Sequence, residues 1–333
     1  MKIFTTLCIA VALTTACQSN TASKQRTLTL GAYTTPREVY GKKLLPAFQA
    51  EWRASHQEEV SFQESYLGSG AQARAIVGGF EADIAALSLA PDVQTLVKAK
   101  LVTPTWATGP TQGVVSRSIV VLAVRIGNPR NIRDWEDLAQ PGLNVLTPNV
   151  RTSGGAMWNI AALFGAVMRG KTGAEPTKAG VLGLLKKILA NVSVMDKGAR
   201  ESLITFEQGV GDVAITYENE VLAAKRAGRN YDYVVPKSTI LIENPVAVVD
   251  VYAAKHKTTD VARAFVEFLT TPAAQTAFAE FGYRPALEDV AARFTADFPK
   301  VEDLFTVRDI GGWEALNTEL FAPEALYEQA LKK

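Results

Sequence analysis

Short runs of apolar residues alternate with longer segments of helical spacing from residue 27 onward. Two of these runs, 28–32 and 59–65, have the composition of β-strands. The segment between them, 37–56, repeats apolar residues every four or five positions, at Val39, Leu44, Phe48 and Trp52. The pattern therefore predicts a strand, a helix and a second strand, with Pro46 interrupting the helix.

The same alternation continues to about residue 216. Further helices are predicted at 71–79, 91–99, 155–168, 182–189 and 199–208. Further strands are predicted at 83–87, 119–125, 142–147, 192–195 and 212–216. This order favours an α/β fold whose strands are largely parallel and buried on both faces, followed by a mainly helical tail over 258–333.

Two long extended stretches, 111–125 and 233–254, are spaced so that the chain leaves one lobe and returns to it. We therefore predict a protein of two lobes joined by paired crossover strands. The expected division assigns 27–112 and 246–333 to lobe 1 and 113–245 to lobe 2.

The N-terminus has the pattern of an export signal over 1–16, because a basic start precedes an apolar run too short to span a bilayer. The stretch Leu13-Thr14-Thr15-Ala16-Cys17 resembles the lipobox of bacterial lipoproteins, although Thr14 stands where Leu is usual. We expect lipidation of Cys17 and a polar tether over 17–26. Ordinary secretion, with Cys17 incidental, is the alternative.

The composition limits which partners and which metal or cofactor sites the protein can have. The chain has 35 Lys and Arg against 34 Asp and Glu, so nothing indicates a nucleic-acid partner or a polybasic membrane surface. Two Cys and two His make a Cys/His zinc site, an iron–sulfur cluster or a disulfide framework improbable by count alone. We predict neither a metal nor a cofactor.

Three polar turns each follow a predicted strand and precede a predicted helix: 66–71, 152–156 and 197–200. The free backbone N–H groups and positive dipole at a helix N-terminus bind anions, and small residues let an anion approach. Each turn alone is more typical of a simple N-cap. Together, at the carboxyl ends of parallel strands, they favour one anion-binding cleft.

Several segments, in order, resemble the periplasmic sulfate/thiosulfate-binding proteins of ABC importers. They are 33–40, 68–70, 147–149, 153–159, 196–200, 211–213, 217–220 and 281–285. The resemblance runs from Leu28 to Trp313. It implies a two-lobed periplasmic-binding-protein-like type II fold, which closes over an oxyanion in the inter-lobe cleft and delivers it to a membrane permease.

The resemblance also implies which residues contact the oxyanion through neutral donors: Ser69, Ser153, Gly154, Gly155 and Ala199. Two further site positions depart from the family pattern. Tyr217 stands where the family commonly has a Trp whose indole N–H donates to the anion, and Thr34 stands where an Asp is common. We therefore expect sulfate, with thiosulfate, phosphate and organic sulfates or sulfonates left open.

A pocket that offers only donors selects sulfate, because phosphate near neutral pH keeps a proton that needs an acceptor. An unpaired buried group costs roughly 1 to 3 kcal/mol. Tyr217, Glu218 or Glu220 would weaken this selectivity by offering a hydrogen-bond acceptor, unless the two carboxylates make ordinary hydrogen bonds outside the pocket.

Two functional classes follow. The first is a non-enzymatic, monomeric binding lipoprotein on the periplasmic or cell-surface side of the membrane. The alternative is an exported hydrolase of sulfate or phosphate esters, which requires a nucleophile with a base or a metal. Neither His56 nor His256 has a credible catalytic partner in the sequence.

Overall fold

The computed structural model describes residues 25–332, with strands and helices in alternation through most of the chain. The strands are β1 Gln25–Tyr33, β2 Glu59–Leu67, β3 Ile84–Ala86, β4 Val114–Val124, β5 Val145–Leu146, β6 Val192–Val194, β7 Val213–Tyr217, β8 Asp232–Val234, β9 Ser238–Val248 and β10 Asp303–Phe305. The first eight helices are α1 Arg37–Val39, α2 Leu45–His56, α3 Ser69–Val77, α4 Ala90–Lys98, α5 Gly154–Met168, α6 Lys178–Ala190, α7 Ala199–Glu207 and α8 Glu218–Arg226. The remaining helices are α9 Asp250–His256, α10 Thr259–Phe268, α11 Pro272–Glu280, α12 Glu288–Arg293, α13 Gly312–Leu316 and α14 Leu326–Leu331.

The predicted elements of the first two hundred residues are present, with one change at the first helix. A wide π-helical turn, Tyr40–Leu44, joins α1 to α2, so the helical segment is continuous. Pro46 lies in the first turn of α2, directly after the wider π-helical turn, and the chain is helical on both sides of it. The proline therefore does not interrupt the helix.

Strand order in the sheet is β2-β1-β3-β9-β4-β7-β5-β6, with β10 beside β9 and β8 beside β4. The strands at both ends pair in parallel, whereas β4 and β9 pair antiparallel with each other and with β7 and β3. The expected parallel arrangement therefore holds only away from the centre, because the chain must leave a lobe and return to it.

The crossover strands β4 and β9 run through both lobes. β9 pairs with β3 through residues 246–248 and with β4 through 241–245, while β4 pairs with β7 through 120–124. We call lobe 1 the strands β1–β3 with the helices packed on them, and lobe 2 the strands β5–β8 with α5–α8. The predicted crossover stretches thus contain the two strands that join the lobes.

The last two residues of the expected tether belong to the first strand. β1 starts at Gln25, and Arg26 forms ion pairs of 2.5 Å with both Glu58 and Asp260. The Arg26 guanidinium also lies over the Trp52 ring, 5.6 Å from its centroid. Residues 25 and 26 are therefore part of lobe 1 and not of the expected tether over 17–26. The predicted export signal and Cys17 lie outside the described residues.

The end of the chain packs differently from the expected assignment of 246–333 to lobe 1. Apolar side chains from 305 onward join the core of lobe 2 around α5 and α6, among them Phe305, Leu316, Leu320 and Tyr327. Strand β10, which the sequence did not predict, pairs with the lobe 2 end of β9. The residues after about 303 therefore belong to the lobe 2 core.

Candidate functional site

Each of the three predicted turns leads into the N-terminus of a helix. Ser69 begins α3, Gly154 begins α5 and Ala199 begins α7. The N-cap residues are Gly68, Ser153 and Gly198, and no side chain caps any of these helices. No side-chain oxygen therefore occupies the first-turn N–H groups, although the Ala71 N–H of α3 donates to the Thr152 carbonyl. The first N–H groups of the three helices, at their positive ends, remain available to an anion.

Glycines at the turns allow the three helix ends to meet. A methyl group on Gly68 would lie 2.5 Å from the Thr152 carbonyl oxygen and 2.8 Å from that of Lys197. A methyl group on Gly155 would lie 2.9 Å from the Ala199 Cβ. Because real Cβ atoms do not approach other atoms so closely, only glycine permits this arrangement at either position.

The two positions that depart from the family pattern lie at the same place. A methyl group on Gly198 would lie 3.4 Å from the Thr34 Oγ1, and one on Gly155 would lie 3.5 Å from the Tyr217 Cε1. The structure thus brings all seven predicted site residues to one cleft between the lobes: Thr34, Ser69, Ser153, Gly154, Gly155, Ala199 and Tyr217.

The serines of the first two turns differ in how their hydroxyl groups are used. Ser69 donates its hydroxyl to Asp92 Oδ2 at 2.5 Å and accepts the Ser88 N–H at 2.8 Å. Burial raises the pKa of Asp92 to about 6, although the Ser69 hydrogen bond opposes this shift. Ser153 is buried and its hydroxyl does not cap α5. Ser69 therefore offers the cleft its backbone N–H, and Ser153 can also offer its side chain.

Tyr217 reaches across the cleft to a residue that the sequence analysis missed. Its phenol oxygen lies 2.6 Å from Ser88 Oγ. Burial raises the pKa of Tyr217 well above its ordinary value, so the phenol stays protonated. The two hydroxyl groups share one proton in their mutual hydrogen bond, which leaves the other proton free to turn toward a ligand.

The sequence around Ser88 has a pattern that could have identified it as a site residue. It follows β3 and precedes α4 in a fourth strand-to-helix turn, and a methyl group on Gly154 would lie 2.8 Å from its Oγ. The same pattern that identified the other three turns therefore applies to Ser88.

Several hydrogen bonds join the lobes around the cleft. The Ala71 N–H donates to the Thr152 carbonyl at 3.3 Å, and Arg74 Nη2 donates to the Arg151 carbonyl at 2.9 Å. On the other side of the turns, Trp158 Nε1 donates to the Ser88 carbonyl at 3.0 Å. The lobes are therefore in contact, as in the closed form of a two-lobed binding protein.

The side chain of Arg200, the last residue of the third turn, contacts protein groups. Arg200 follows Ala199, and its Nε lies 2.8 Å from Glu220 Oε2. Its Nη2 donates to the Thr35 carbonyl at 3.2 Å. Burial raises the pKa of Glu220 to about 7, and the charge of Arg200 opposes this shift. Arg200 therefore has protein partners on both sides of the cleft.

The sequence left open whether Glu218 and Glu220 make ordinary hydrogen bonds outside the pocket, and the two glutamates differ in this respect. Glu218 accepts hydrogen bonds from Arg284 Nε at 2.6 Å and Nη2 at 2.9 Å, away from the turns. Glu220 is completely buried, yet within residues 25–332 neither of its oxygens makes a hydrogen bond of good geometry. Ordinary hydrogen bonding outside the pocket therefore describes Glu218 but not Glu220.

A cavity of about 460 Å³ adjoins the cleft and is lined by both lobes. Its lining residues are Thr34, Arg37, Glu38, Lys42, Arg200 and Ile204. Thr34 therefore lies between this cavity and the Gly198 turn.

The two histidines lie elsewhere. His56 stacks on Trp52, with ring centroids 3.6 Å apart, and His256 bonds to Asp83 and Glu81 at 2.9 and 3.0 Å. Over 25–332 there is no group of three or more His, Cys, Asp or Glu side chains suited to a metal ion. In the same range no helix has the length and apolar character needed to cross a bilayer.

Comparison with known proteins agrees with this fold. The model of the bacterial extracellular solute-binding protein family matches residues 28–284. A sulfate-binding protein of Synechococcus elongatus is 42% identical over 304 residues, which cover 91% of this chain and 85% of that protein. A thiosulfate-binding protein of Pseudomonas aeruginosa is 33% identical over 303 residues, covering 90% of each chain.

Solved structures give the same result. The sulfate-binding protein SubI of Mycobacterium tuberculosis matches with a TM-score of 0.81 and 38% identity, covering 89% of this chain and 99% of that one. A periplasmic thiamin binding protein matches with a TM-score of 0.66 at 15% identity, covering 92% of this chain and 96% of that one, which shows the shared fold alone.

The fold and the inter-lobe cleft define an extracytoplasmic solute-binding protein of two lobes. More narrowly, the chain belongs to the family of the sulfate- and thiosulfate-binding proteins. The resemblance found in the sequence and the predicted type II fold are thereby confirmed.

Proposed function

We propose that this protein binds sulfate, or the closely related thiosulfate, in the inter-lobe cleft and delivers it to the permease of an ABC importer. The observation that carries the proposal is the meeting of three helix N-termini without side-chain caps, those of α3, α5 and α7, at one point between the lobes. The names of the relatives, sulfate- and thiosulfate-binding proteins, support it.

The donors proposed to hold the anion are neutral. Backbone N–H groups of Ser69, Gly154, Gly155 and Ala199 would point into the cleft, with hydroxyl groups of Ser153, Thr34 and the Tyr217–Ser88 pair around them. A dianion is stabilised there by helix dipoles and charge-assisted hydrogen bonds. Arg200 and Arg74 make hydrogen bonds to protein carbonyls, which leaves the anion to the neutral donors.

Closure of the lobes accompanies binding in this proposal. The bending region is the pair of crossover strands, β4 and β9, because β9 pairs with β3 of lobe 1, β4 pairs with β7 and β8 of lobe 2, and the two strands pair with each other. The anion favours the closed arrangement because donors from both lobes surround it only there. The protein is expected to be a monomer whose radius of gyration, measured by small-angle scattering, decreases when sulfate is added.

Export and membrane anchoring form the second part of the proposal. The basic and apolar start of the chain and the lipobox-like stretch before Cys17 support cleavage there and lipidation of the cysteine. Mass spectrometry of protein purified from the membrane fraction tests this: a diacylglycerol-modified N-terminal Cys17 is expected, and release of a C17S variant into the soluble fraction should follow.

The binding experiment is calorimetric titration of the exported protein after bound anion has been removed by unfolding and refolding. Sulfate, thiosulfate, phosphate and a small organic sulfate are compared from pH 5 to pH 8. Tight sulfate binding at every pH, with weaker phosphate binding, is expected. Tight binding of another anion would correct the ligand, and binding of none of the four would contradict the proposal.

A non-catalytic role is the third part of the proposal. Neither histidine contacts the cleft residues, and within residues 25–332 the Ser153 hydroxyl makes no hydrogen bond to a base of the kind that activates a nucleophile. Incubation with 4-nitrophenyl sulfate and 4-nitrophenyl phosphate should release no nitrophenol above the level of an S153A variant. Turnover that disappears in S153A would favour an ester hydrolase instead.

A further inference from the structure

The side chain of Arg200 lies between the two lobes and contacts both. On the lobe 2 side, its Nε is 2.8 Å from Glu220 Oε2. On the lobe 1 side, its Nη2 donates to the Thr35 carbonyl at 3.2 Å, and its Nη1 lies 3.7 Å from Glu38 Oε1. The guanidinium thus uses different edges toward the two lobes.

The contact with Glu220 differs from a surface ion pair. Glu220 is completely buried in the first turn of α8, and within the described chain its oxygens make no hydrogen bond of good geometry. A buried charge is costly unless another charge compensates it. Arg200 is the cation that compensates Glu220, so the guanidinium is held where Glu220 places it.

The lobe 1 partner is a fixed acceptor. Thr35 is buried, and its hydroxyl lies 3.3 Å from the Tyr283 phenol oxygen. Thr35 also directly follows Thr34, which lies beside the Gly198 turn. Separation of the lobes would remove the Arg200–Thr35 hydrogen bond but not the Arg200–Glu220 contact, because only the first of these crosses between lobes.

We propose that Glu220 is a positioning residue that aims the Arg200 guanidinium at the Thr35 carbonyl, so that this pair fastens the closed lobes and slows release of the bound anion. The inference rests on the proposed function, since it concerns the same cleft. Arg200 acts here on closure and not as a ligand of the anion. A lysine cannot replace it, because a single ammonium lacks the planar edges that face two partners at once.

The expected effect is on the release rate. A hydrogen bond from a charged group that exists only in the closed state raises the closed population, and its loss should speed release on the order of tenfold. Association begins with open lobes, so its rate should change by less than about twofold.

Stopped-flow tryptophan fluorescence with sulfate measures both rates on the exported protein. R200K should release sulfate about tenfold faster than the wild type, and E220Q should change release in the same direction by a smaller factor. The matched control is R229K, because Arg229 pairs with Glu207 at 3.5 Å within lobe 2, and the lysine keeps the charge that acts on Glu38. Its release rate should equal that of the wild type.

A double variant separates the effect on closure from damage to the fold. R200M/E220M leaves no unpaired buried charge, and circular dichroism with thermal melting checks that it is folded. Fast release in this folded variant supports the proposal. Wild-type release rates in both R200K and the double variant, or a loss confined to the association rate, would overturn it. If the wild type binds no oxyanion at all, the proposed function fails first and this inference with it.

Discussion

Polar groups are buried in different ways at the cleft and at the hinge, by which we mean the crossover strands β4 and β9 with the residues that pack on them. At the hinge, Glu218 accepts two hydrogen bonds from Arg284, whose backbone also exchanges hydrogen bonds of 2.8 and 2.9 Å with Arg117 on β4. In the cleft, Glu220 has the charge of Arg200 nearby but no well-formed hydrogen bond within residues 25–332. The two glutamates are separated by a single residue in the first turn of α8.

The difference shows what each region contributes. Burial raises the pKa of both carboxyl groups, and the Arg284 hydrogen bonds oppose the shift at Glu218. A buried ion pair with complete hydrogen bonds leaves no donor for a further partner, whereas Arg200 faces Glu220 through Nε and keeps Nη2 for the Thr35 carbonyl. The Glu218–Arg284 pair therefore fixes α8 to the connecting strand, and Arg200 remains available to the opposite lobe.

Breaking the hinge pair should have the largest effect on stability. E218Q leaves Arg284 without its charge partner, and removal of one member of a buried pair costs about 3 to 5 kcal/mol of unfolding free energy. Urea unfolding followed by circular dichroism measures the loss. The control is K178Q, because Lys178 and Glu319 form an exposed pair of 3.3 Å that should contribute less than about 1 kcal/mol. Equal losses in the two variants would contradict the comparison.

Removing a cleft hydroxyl should reduce the affinity for sulfate and leave the stability of the fold almost unchanged. In S153A the affinity for sulfate should fall about 10- to 100-fold, as expected for loss of a hydrogen bond to a charged ligand. Unfolding free energy should change little, because the Ser153 hydroxyl does not cap α5. Titration calorimetry and urea unfolding give the two values, with the exposed Ser193 changed to Ala as control. Unchanged affinity in S153A would exclude its hydroxyl as a donor.

Removing the Tyr217 hydroxyl should reduce both stability and sulfate affinity, each by a smaller amount. The phenol bonds to Ser88 across the cleft and also faces the proposed site. In Y217F the unfolding free energy should fall by about 1 kcal/mol, the usual worth of one hydrogen bond. Sulfate affinity should fall about fivefold to tenfold, because one hydroxyl donor is lost. If calorimetry finds the wild-type affinity, the phenol serves only to hold Ser88.

The smallest effect lies away from both regions, at His256. Its hydrogen bond to Asp83 raises the pKa of the imidazole, against the opposing effect of burial. Since the folded pKa lies above the ordinary value of 6.5, the charged form stabilises the fold fully below pH 6.5, and this stabilisation is lost as pH rises through the folded pKa.

Comparison of H256Q with the wild type isolates this contribution. The wild type should be more stable than H256Q by about 0.5 to 1 kcal/mol at pH 6, and the difference should shrink by pH 8.5. Urea unfolding at both pH values measures it, because other titrating groups cancel in the difference. H56Q, which alters the histidine stacked on Trp52, is the control. A difference that grows with pH would contradict the assignment.

The strand-to-helix turns could be predicted because they are local. A buried strand followed by Gly or Ser and a helical pattern occurs at 66–71, 152–156 and 197–200, and the family resemblance added Thr34 and Tyr217. The pairing of Arg200 with Thr35 and Glu220 could not be predicted, because it depends on how two lobes meet in space.

The end of the chain was mispredicted for a similar reason. The apolar spacing after residue 303 shows that its segments bury one face, but not which core they join. Phe305 decides the outcome: a methyl group on Gly165 would collide with its ring, so this glycine of α5 makes room for it. A glycine inside a helix signals a close neighbour, but the sequence does not say which one.

The ion pairs of Arg26 also limit how far lobe 1 can lie from Cys17. They fix the start of β1 to lobe 1, only eight residues beyond Gln18 and nine beyond Cys17. With Cys17 lipidated as proposed, a fully extended chain of that length spans at most about 30 Å. Lobe 1 would thus stay within one domain diameter of the bilayer surface, and lobe 2 would swing relative to it. Opening would then change how lobe 2 faces the membrane, and the local concentration of the receptor at its permease would be set by this short reach.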